Sequence, residues 1–188
     1  MFTNNTDRKI HKEVIAAMFT ALTMVATMVF TIPTPTLGYI HMGDAFVLLS
    51  GALLGPFYGA IAAGLGSALS DLLLGYTISA VPTFIIKGLT ALIAAFFVRK
   101  AKNAKPGRIS PLMIGGFLLA ELNMVAGYFL YSYLKFCILN GSFEKSTSYG
   151  GLTHALSGLP FNFAQAVCGT VLALILYPLL HKLLKRYF

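Results

Sequence analysis

Val14-Ile-Ala-Ala-Met-Phe-Thr-Ala-Leu-Thr-Met-Val-Ala-Thr-Met-Val-Phe-Thr-Ile32, closed by Pro33-Thr-Pro35, holds no charged side chain from end to end. A helix over that stretch rises about 28 Å at 1.5 Å per residue, close to the ~30 Å hydrocarbon core of a bilayer. The prolines end it, because proline fixes φ and carries no backbone donor. A secretory signal would have a shorter apolar region and a small-residue cleavage site. The stretch therefore reads as a retained first transmembrane helix.

Similar apolar runs follow one another almost to the last residue, separated by brief polar or Gly/Pro breaks. Of 188 residues 57% are hydrophobic and 11% charged, against roughly 25% charged in an average soluble domain. Too few charges remain to build a water-exposed surface. The chain reads as an all-α integral membrane protein, one membrane domain over residues 1–188, multi-pass in the plasma membrane and surrounded by lipid.

The net charge of +8 would suggest nucleic acid in a soluble protein, but the position of the charges argues otherwise. Arg8, Lys9 and Lys12 precede the first span; Arg99, Lys100, Lys102, Lys105 and Arg108 fill one loop; Lys182, Lys185 and Arg186 close the chain. Basic clusters mark cytoplasmic loops, so an even number of crossings must separate successive clusters. Helices expected at about 13–31, 43–55, 57–74, 82–98, 111–135 and 154–184 satisfy that rule. This gives six transmembrane helices, both termini in the cytoplasm, and the polar segment Asn140 to Gly151 outside. The second helix is short for a crossing and is expected to sit behind its neighbours or tilt into protein contacts.

Gly55-Pro56 turns helix 2 into helix 3, Pro82 can begin helix 4, and Pro160 and Pro178 should kink helix 6. Gly51, Gly55 and Gly59, then Ala62, Gly66 and Ser70, recur every four residues. Small residues at that spacing let helix backbones approach closely in lipid. Ala17 and Ala21 form a related pair on helix 1, serving either internal packing or contact with a partner's helix. Cys137 and Cys168 show no metal-site or redox spacing and read as apolar filler.

The informative residues are those the membrane should resist. Asp44, Asp71, Lys87 and Glu121 lie in or at the ends of expected spans, where a central charge costs on the order of 2.5–3.5 kcal/mol even on the lenient insertion scale. Asp44 opens helix 2 and Asp71 closes helix 3, so both lie near the outer face; Lys87 is roughly 8 Å deeper on helix 4. Glu121 and Asn123 are near the middle of helix 5. His154 begins helix 6, with Asn162 and Gln165 roughly 12 to 17 Å further in. The cytoplasmic halves hold almost nothing comparable. That one-sided distribution predicts a polar cavity that opens outward and closes below the midplane. A purely structural account is also open: an Asp71–Lys87 ion pair, Asp44 capping helix 2, Glu121 bonded to neighbouring helices and His154 as an interfacial cap.

Tyr39, Phe46, Tyr76, Phe84, Tyr128, Tyr131, Phe161 and Phe163 gather toward the same face. Stacking plus a few placed hydrogen bonds would hold a flat heteroaromatic ligand, although aromatics also form interfacial belts. An intramembrane enzyme using Glu121, His154 or Asp71 is the rival reading. It lacks support: no HExxH, GxSxG or closely spaced catalytic pair is present. A stand-alone channel or secondary transporter is a further rival, without a visible internal repeat.

Gly38-Tyr-Ile-His-Met-Gly-Asp44, Leu54-Gly-Pro-Phe-Tyr-Gly-Ala60, Gly64-Leu-Gly-Ser67, Asp71-Leu-Leu-Leu-Gly-Tyr76 and Phe84-Ile-Ile-Lys-Gly88 resemble the substrate-binding S component of energy-coupling factor (ECF) transporters. Glu121-Leu-Asn-Met-Val-Ala-Gly-Tyr128 and Leu159-Pro-Phe-Asn-Phe-Ala-Gln165 resemble the same family, so the likeness runs nearly the whole chain.

The resemblance implies a six-helix vitamin-binding subunit that is not an enzyme and has no cofactor of its own. Ala17 and Ala21 would meet a transmembrane coupling subunit. Two cytoplasmic ATPases would use ATP on the complex's behalf, in keeping with the absence of a Walker motif here. Family members are thought to carry substrate by toppling in the bilayer. The ligand site would lie near the extracellular side, formed by Thr34 to Met42, acting as a lid, by Gly75 to Val81 and by helices 4 to 6. Expected substrate contacts are Tyr39, His41, Asp44, Asp71, Tyr76, Phe84, Lys87, Glu121, Asn123, Tyr128, His154, Asn162 and Gln165. Among subfamilies the pattern points to pyridoxine (vitamin B6) or hydroxymethylpyrimidine, with riboflavin or pantothenate as alternatives.

Overall fold

The computed structural model describes residues 5–33, 39–101 and 107–184. Six helices form: α1 (Asn5–Val29), α2 (Asp44–Leu54), α3 (Pro56–Leu73), α4 (Ala80–Lys100), α5 (Pro111–Leu139) and α6 (Lys145–Leu184). A 3-10 turn at Thr77–Ser79 leads into α4. The expectations at Thr34 to Gly38, Lys102, Lys105, Lys185 and Arg186 lie outside the described residues.

Several boundaries differ from those read in sequence. α1 begins earlier, at Asn5, and ends earlier, at Val29. α5 continues to Leu139, and α6 begins at Lys145 rather than near 154. The polar segment expected between them shrinks accordingly: Ser146, Thr147 and Ser148 lie in α6 instead of a loop, with Gly141 (φ 67°) making the turn. α6 runs through Pro160 and Pro178 as one 40-residue helix. The connection after α1 is not helical: Ile32–Pro33 (β1) pairs antiparallel with Tyr39–Ile40 (β2), Ile32 opposite Ile40 and Pro33 opposite Tyr39.

Four segments, Lys9–Val29, Thr77–Lys100, Pro111–Leu139 and Lys145–Leu184, are long and apolar enough to cross a membrane. α3 reaches 18 residues, but its glycines, serines and Asp71 dilute its apolar character. α2, with 11 residues, is only about 16 Å long. Its shortness has a physical reason. α2 is surrounded by α1, α3, α4 and α6, and eight of its eleven residues are buried. A helix enclosed in protein need not match the bilayer, because its ends find polar partners within the fold.

Small residues permit that enclosure. A Cβ on Gly51 would collide with the Ala91 carbonyl of α4, and one on Gly59 would come 2.5 Å from the Ser50 carbonyl oxygen. One on Gly66 would come 2.5 Å from the Thr20 carbonyl oxygen of α1. Gly55, at φ 83°, links α2 to α3 in a conformation that a side chain would strain. The internal-packing expectation for the stripes on helices 2 and 3 therefore holds at these three glycines. Ala17 and Ala21 point the other way and are exposed, in line with Val14, Met18, Leu22 and Val25.

The bundle has two unlike ends. At one lie the start of α1, the turn from α2 to α3, the end of α4, the start of α5 and the end of α6, with Lys9, Lys12, Arg99, Lys100, Arg108 and Lys182. The half nearest that end contains the main apolar core, with Ile15, Phe19, Leu48, Leu49, Met113 and Phe117. At the opposite end lie β2, the 3-10 turn and the link from α5 to α6, and there the polar residues collect.

Candidate functional site

A polar chain of contacts begins where β2 runs into α2. The His41 backbone N–H donates to Oε1 of Gln165 at 3.0 Å, and Nε2 of Gln165 donates to Oδ2 of Asp44 at 2.7 Å. Both contacts pair a donor with an acceptor, which sets the orientation of the Gln165 amide. Oδ1 of Asp44 is ion-paired with Lys87, and both side chains are fully buried. Gly169 makes room for this cluster, since a Cβ there would come 2.8 Å from Cβ of Asp44.

The structure corrects the structural alternatives raised by sequence: Glu121 is not hydrogen-bonded to neighbouring helices, and His154 lies within α6 rather than capping its start. Lys87 pairs with Asp44, not with Asp71. Asp44 does not cap α2 either: Gly43 holds the N-cap position with no side-chain bond, and the Asp44 carboxylate turns inward because Lys87 needs a counter-charge more than the helix end needs an acceptor.

Asp71 has a different partner. Oδ1 accepts from the Tyr39 hydroxyl at 2.5 Å, tying the segment after α1 to the end of α3. The Tyr39 ring lies 5.0 Å from that of Tyr76 and 5.4 Å from His41. Burial and the neighbouring Asp71 carboxylate push the Tyr39 hydroxyl far above its usual range, so it stays a donor. Nδ1 of His41 accepts from the Gly43 N–H at 3.0 Å. Burial, reinforced by the Lys87 charge, lowers the His41 imidazole from 6.5 to about 3. His41 is thus neutral, with its proton left on Nε2.

Several of these groups border a cavity with about 750 Å³ of empty space, counting its open mouth. Tyr39, His41, Asp71 and Tyr76 form one wall, Tyr128 the α5 side, and His154, Asn162 and Gln165 the α6 side. Eight of the thirteen residues expected to contact substrate are therefore brought together. The other five are not on the cavity wall. Lys87 lies beneath Tyr128, its Nζ 5.1 Å from the ring centroid, with Asp44 behind it. Asn123 donates to Oγ1 of Thr90 at 3.1 Å. Phe84 packs against Gly64 and is 37% exposed on its outer side. Glu121 is 2% exposed, and neither oxygen makes a hydrogen bond.

Ser79, Thr83, Ser132, Lys135 and Gly158 also line the cavity, as do Tyr131 and Phe161, which sequence marked only as aromatics. The tyrosine hydroxyls are anchored: Tyr128 donates to Oγ1 of Thr83 at 3.2 Å, and Tyr131 pairs with Ser79 at 2.8 Å. The signal that would have found these residues is helical spacing. Tyr128, Tyr131, Ser132 and Lys135 fall at i, i+3, i+4 and i+7, one face of α5. Gly158, Phe161, Asn162 and Gln165 keep the same spacing on α6, with His154 one turn before them. Among the described residues no three His, Cys, Asp or Glu side chains gather as metal ligands.

The family described as "ECF-type riboflavin transporter, S component" matches residues 7–182. The chain belongs to that family. As an S component it is the non-enzymatic, substrate-binding subunit of an ECF-type importer of the cell membrane, a multi-pass protein in vitamin uptake. ATP is hydrolysed by partner subunits. Among curated relatives, the thiamine precursor transporter HmpT of Lactococcus lactis subsp. cremoris is 30% identical over 94% of this chain and 91% of its own length. An uncharacterized protein of Pyrococcus woesei is 34% identical over 72% of this chain and 85% of its own. Two solved structures share the fold. One, the S component of a bacterial ECF transporter, has a TM-score of 0.66 at 22% identity, covering 97% of this chain and 100% of the other. The other, the S component for biotin, has a TM-score of 0.58 at 19% identity, covering 98% and 95%.

Proposed function

We propose that this S component binds hydroxymethylpyrimidine or pyridoxine in the cavity between β2, α3, α4, α5 and α6. The observation that carries the reading is the wall itself: a neutral His41, the Asp71 carboxylate, and anchored tyrosines at 39, 128 and 131. This wall offers stacking faces beside a few fixed donors and acceptors, the usual composition of a site for a small heteroaromatic ring. The HmpT relative, named as a thiamine precursor transporter, supports the pyrimidine among these ligands. Riboflavin is the second reading, favoured by the family to which the chain belongs.

In this reading Tyr39, His41, Asp71, Tyr76, Tyr128, His154, Asn162 and Gln165 touch the ligand. Asp44 and Lys87 hold Gln165 and Tyr128 in place from behind, and Glu121 and Asn123 act only through that buried layer. All six helices cross the membrane, α2 and α3 within a sheath of the others, with both termini in the cytoplasm and the cavity open to the outside. The basic residues at the opposite end support this orientation. The segment after α1 is the lid, and the exposed Ala17 and Ala21 face the coupling subunit of a complex driven by two ATPases.

Native mass spectrometry of the detergent-purified chain, with identification of any released small molecule, tests the substrate. A stoichiometric pyrimidine or pyridine supports the reading. Riboflavin in its place transfers the assignment to the second one. An empty protein whose melting temperature neither hydroxymethylpyrimidine nor any B vitamin raises would overturn both.

A further inference from the structure

Two ammonium groups sit beside tyrosines on one face of α5, and they are compensated differently. Nζ of Lys87 lies 5.1 Å from the Tyr128 ring centroid and is ion-paired with Asp44. Nζ of Lys135 lies 5.8 Å from the Tyr131 ring centroid, and among the described residues it has neither an ion pair nor a hydrogen bond. Asp71 feels the Lys135 charge only through space. Lys135 and Tyr131 both line the cavity, and the Tyr131 hydroxyl is tied to Ser79 at 2.8 Å. The anchored ring fixes where the ammonium rests: at the cavity wall, one turn beyond Tyr131 on the same helical face. Lys135 is half-buried, so water can reach it in the empty cavity. A ligand that fills the cavity displaces that water, and an ammonium left against a group that cannot accept is unfavourable.

We infer that Lys135 is a specificity contact of the site and donates to an anionic oxygen carried on the ligand's ring, so that the preferred ligand is a 3-hydroxypyridine of the pyridoxine class. The inference rests on the binding reading above and chooses between its two ligands. Its basis is the chemistry of the rings. The hydroxyl of a 3-hydroxypyridine gives up its proton near neutrality while the ring nitrogen takes one up, which leaves an anionic oxygen in the ring plane. Hydroxymethylpyrimidine has no acidic group; its exocyclic amine is a donor, and it offers an ammonium only neutral acceptors. The hydroxyls of Ser79, Tyr131 and Ser132 both donate and accept, so they tolerate either ring. An ammonium only donates, and it gains most from an acceptor of opposite charge. Asp71 on the same cavity wall supplies the charge that suits a protonated ring nitrogen. Sites that pair a polar group with one ligand group reject the analogue lacking it more strongly than apolar pockets reject a missing methylene.

Calorimetry on the full-length chain in detergent at neutral pH tests this with pyridoxine, its analogue bearing hydrogen in place of the ring hydroxyl, and hydroxymethylpyrimidine. The analogue is expected to bind roughly 10- to 100-fold more weakly than pyridoxine, the range of a hydrogen bond to a charged group, and hydroxymethylpyrimidine should also bind more weakly. Lys135→Met keeps the apolar stem and removes the charge; it should bring pyridoxine level with its analogue. A merely structural role for Lys135 would instead weaken all three ligands alike and leave the gap in place. Equal affinities for pyridoxine and its analogue, a gap that persists in Lys135→Met, or tighter binding of hydroxymethylpyrimidine overturns the inference and leaves the binding reading standing. If none of the three binds, inference and reading fall together. If Lys135→Met does not fold, the ligand comparison on the unaltered chain decides alone.

Discussion

The two halves of the bundle solve different problems with the same helices. In the half nearest the termini, α2 is gripped by apolar side chains and by glycines that admit a neighbour's backbone: Leu48 and Leu49 share one core with Phe19 and Phe117, and Gly51 leaves room for the Ala91 carbonyl. In the other half the helices hold an ion pair, a bridging glutamine and a cavity. In lipid, packing replaces the hydrophobic drive between helices, so a closely packed half can support a neighbouring half that is left open and polar. The cavity half is therefore expected to respond to charge and pH, and the packed half to side-chain volume.

The largest break in this comparison should come from Lys87→Met. It strands Asp44 without its counter-charge, and loss of one partner of a buried pair costs about 3–5 kcal/mol. Chemical denaturation in detergent reads the effect, and the double variant Asp44→Leu/Lys87→Met should recover much of it. Stability equal to the unaltered chain would mean the pair is not a structural support. Next, Gly51→Ala forces a methyl against the Ala91 carbonyl and should cost about 1–3 kcal/mol. The same variant should retain ligand affinity once folded; a selective loss of binding would mean that the halves are mechanically coupled.

His41 sharpens the contrast through pH. Its folded value, about 3, lies below its ordinary 6.5. The unfolded chain therefore binds the extra proton first, and the stability tied to the neutral ring is full above about pH 6.5 and falls as pH drops toward 3. His41→Asn should flatten the acid limb of a melting-temperature profile, whereas an unaltered limb would assign acid sensitivity to other groups. The smallest effect is expected from Ala17→Leu. On an exposed helix face it should change stability by less than about 0.5 kcal/mol and leave binding intact while uptake in cells is lost. Impaired binding in the isolated chain would move Ala17 into the packing.

Much of this division was legible in sequence. Ionisable residues confined to one end of the expected spans predicted where polar groups would collect, and the four-residue glycine spacing predicted close contacts of α2 and α3. The assignment of partners was not legible. Lys87 had two acidic residues at suitable depth, Asp44 and Asp71, and depth along a helix says nothing about which face each occupies relative to a third helix. For the same reason Glu121 and Asn123, deep and polar like Gln165, lie behind the wall while Gln165 reaches it.

Sequence by itself determined the class of the protein, its family and the end of the bundle at which chemistry is possible, because hydropathy, charge placement and small-residue spacing are local properties of the chain. Only the tertiary structure decided that Asp44 takes Lys87, that Tyr39 takes Asp71, and which of the polar residues reach the cavity wall. Those outcomes depend on the rotation of each helix about its axis, which is set by all its neighbours together.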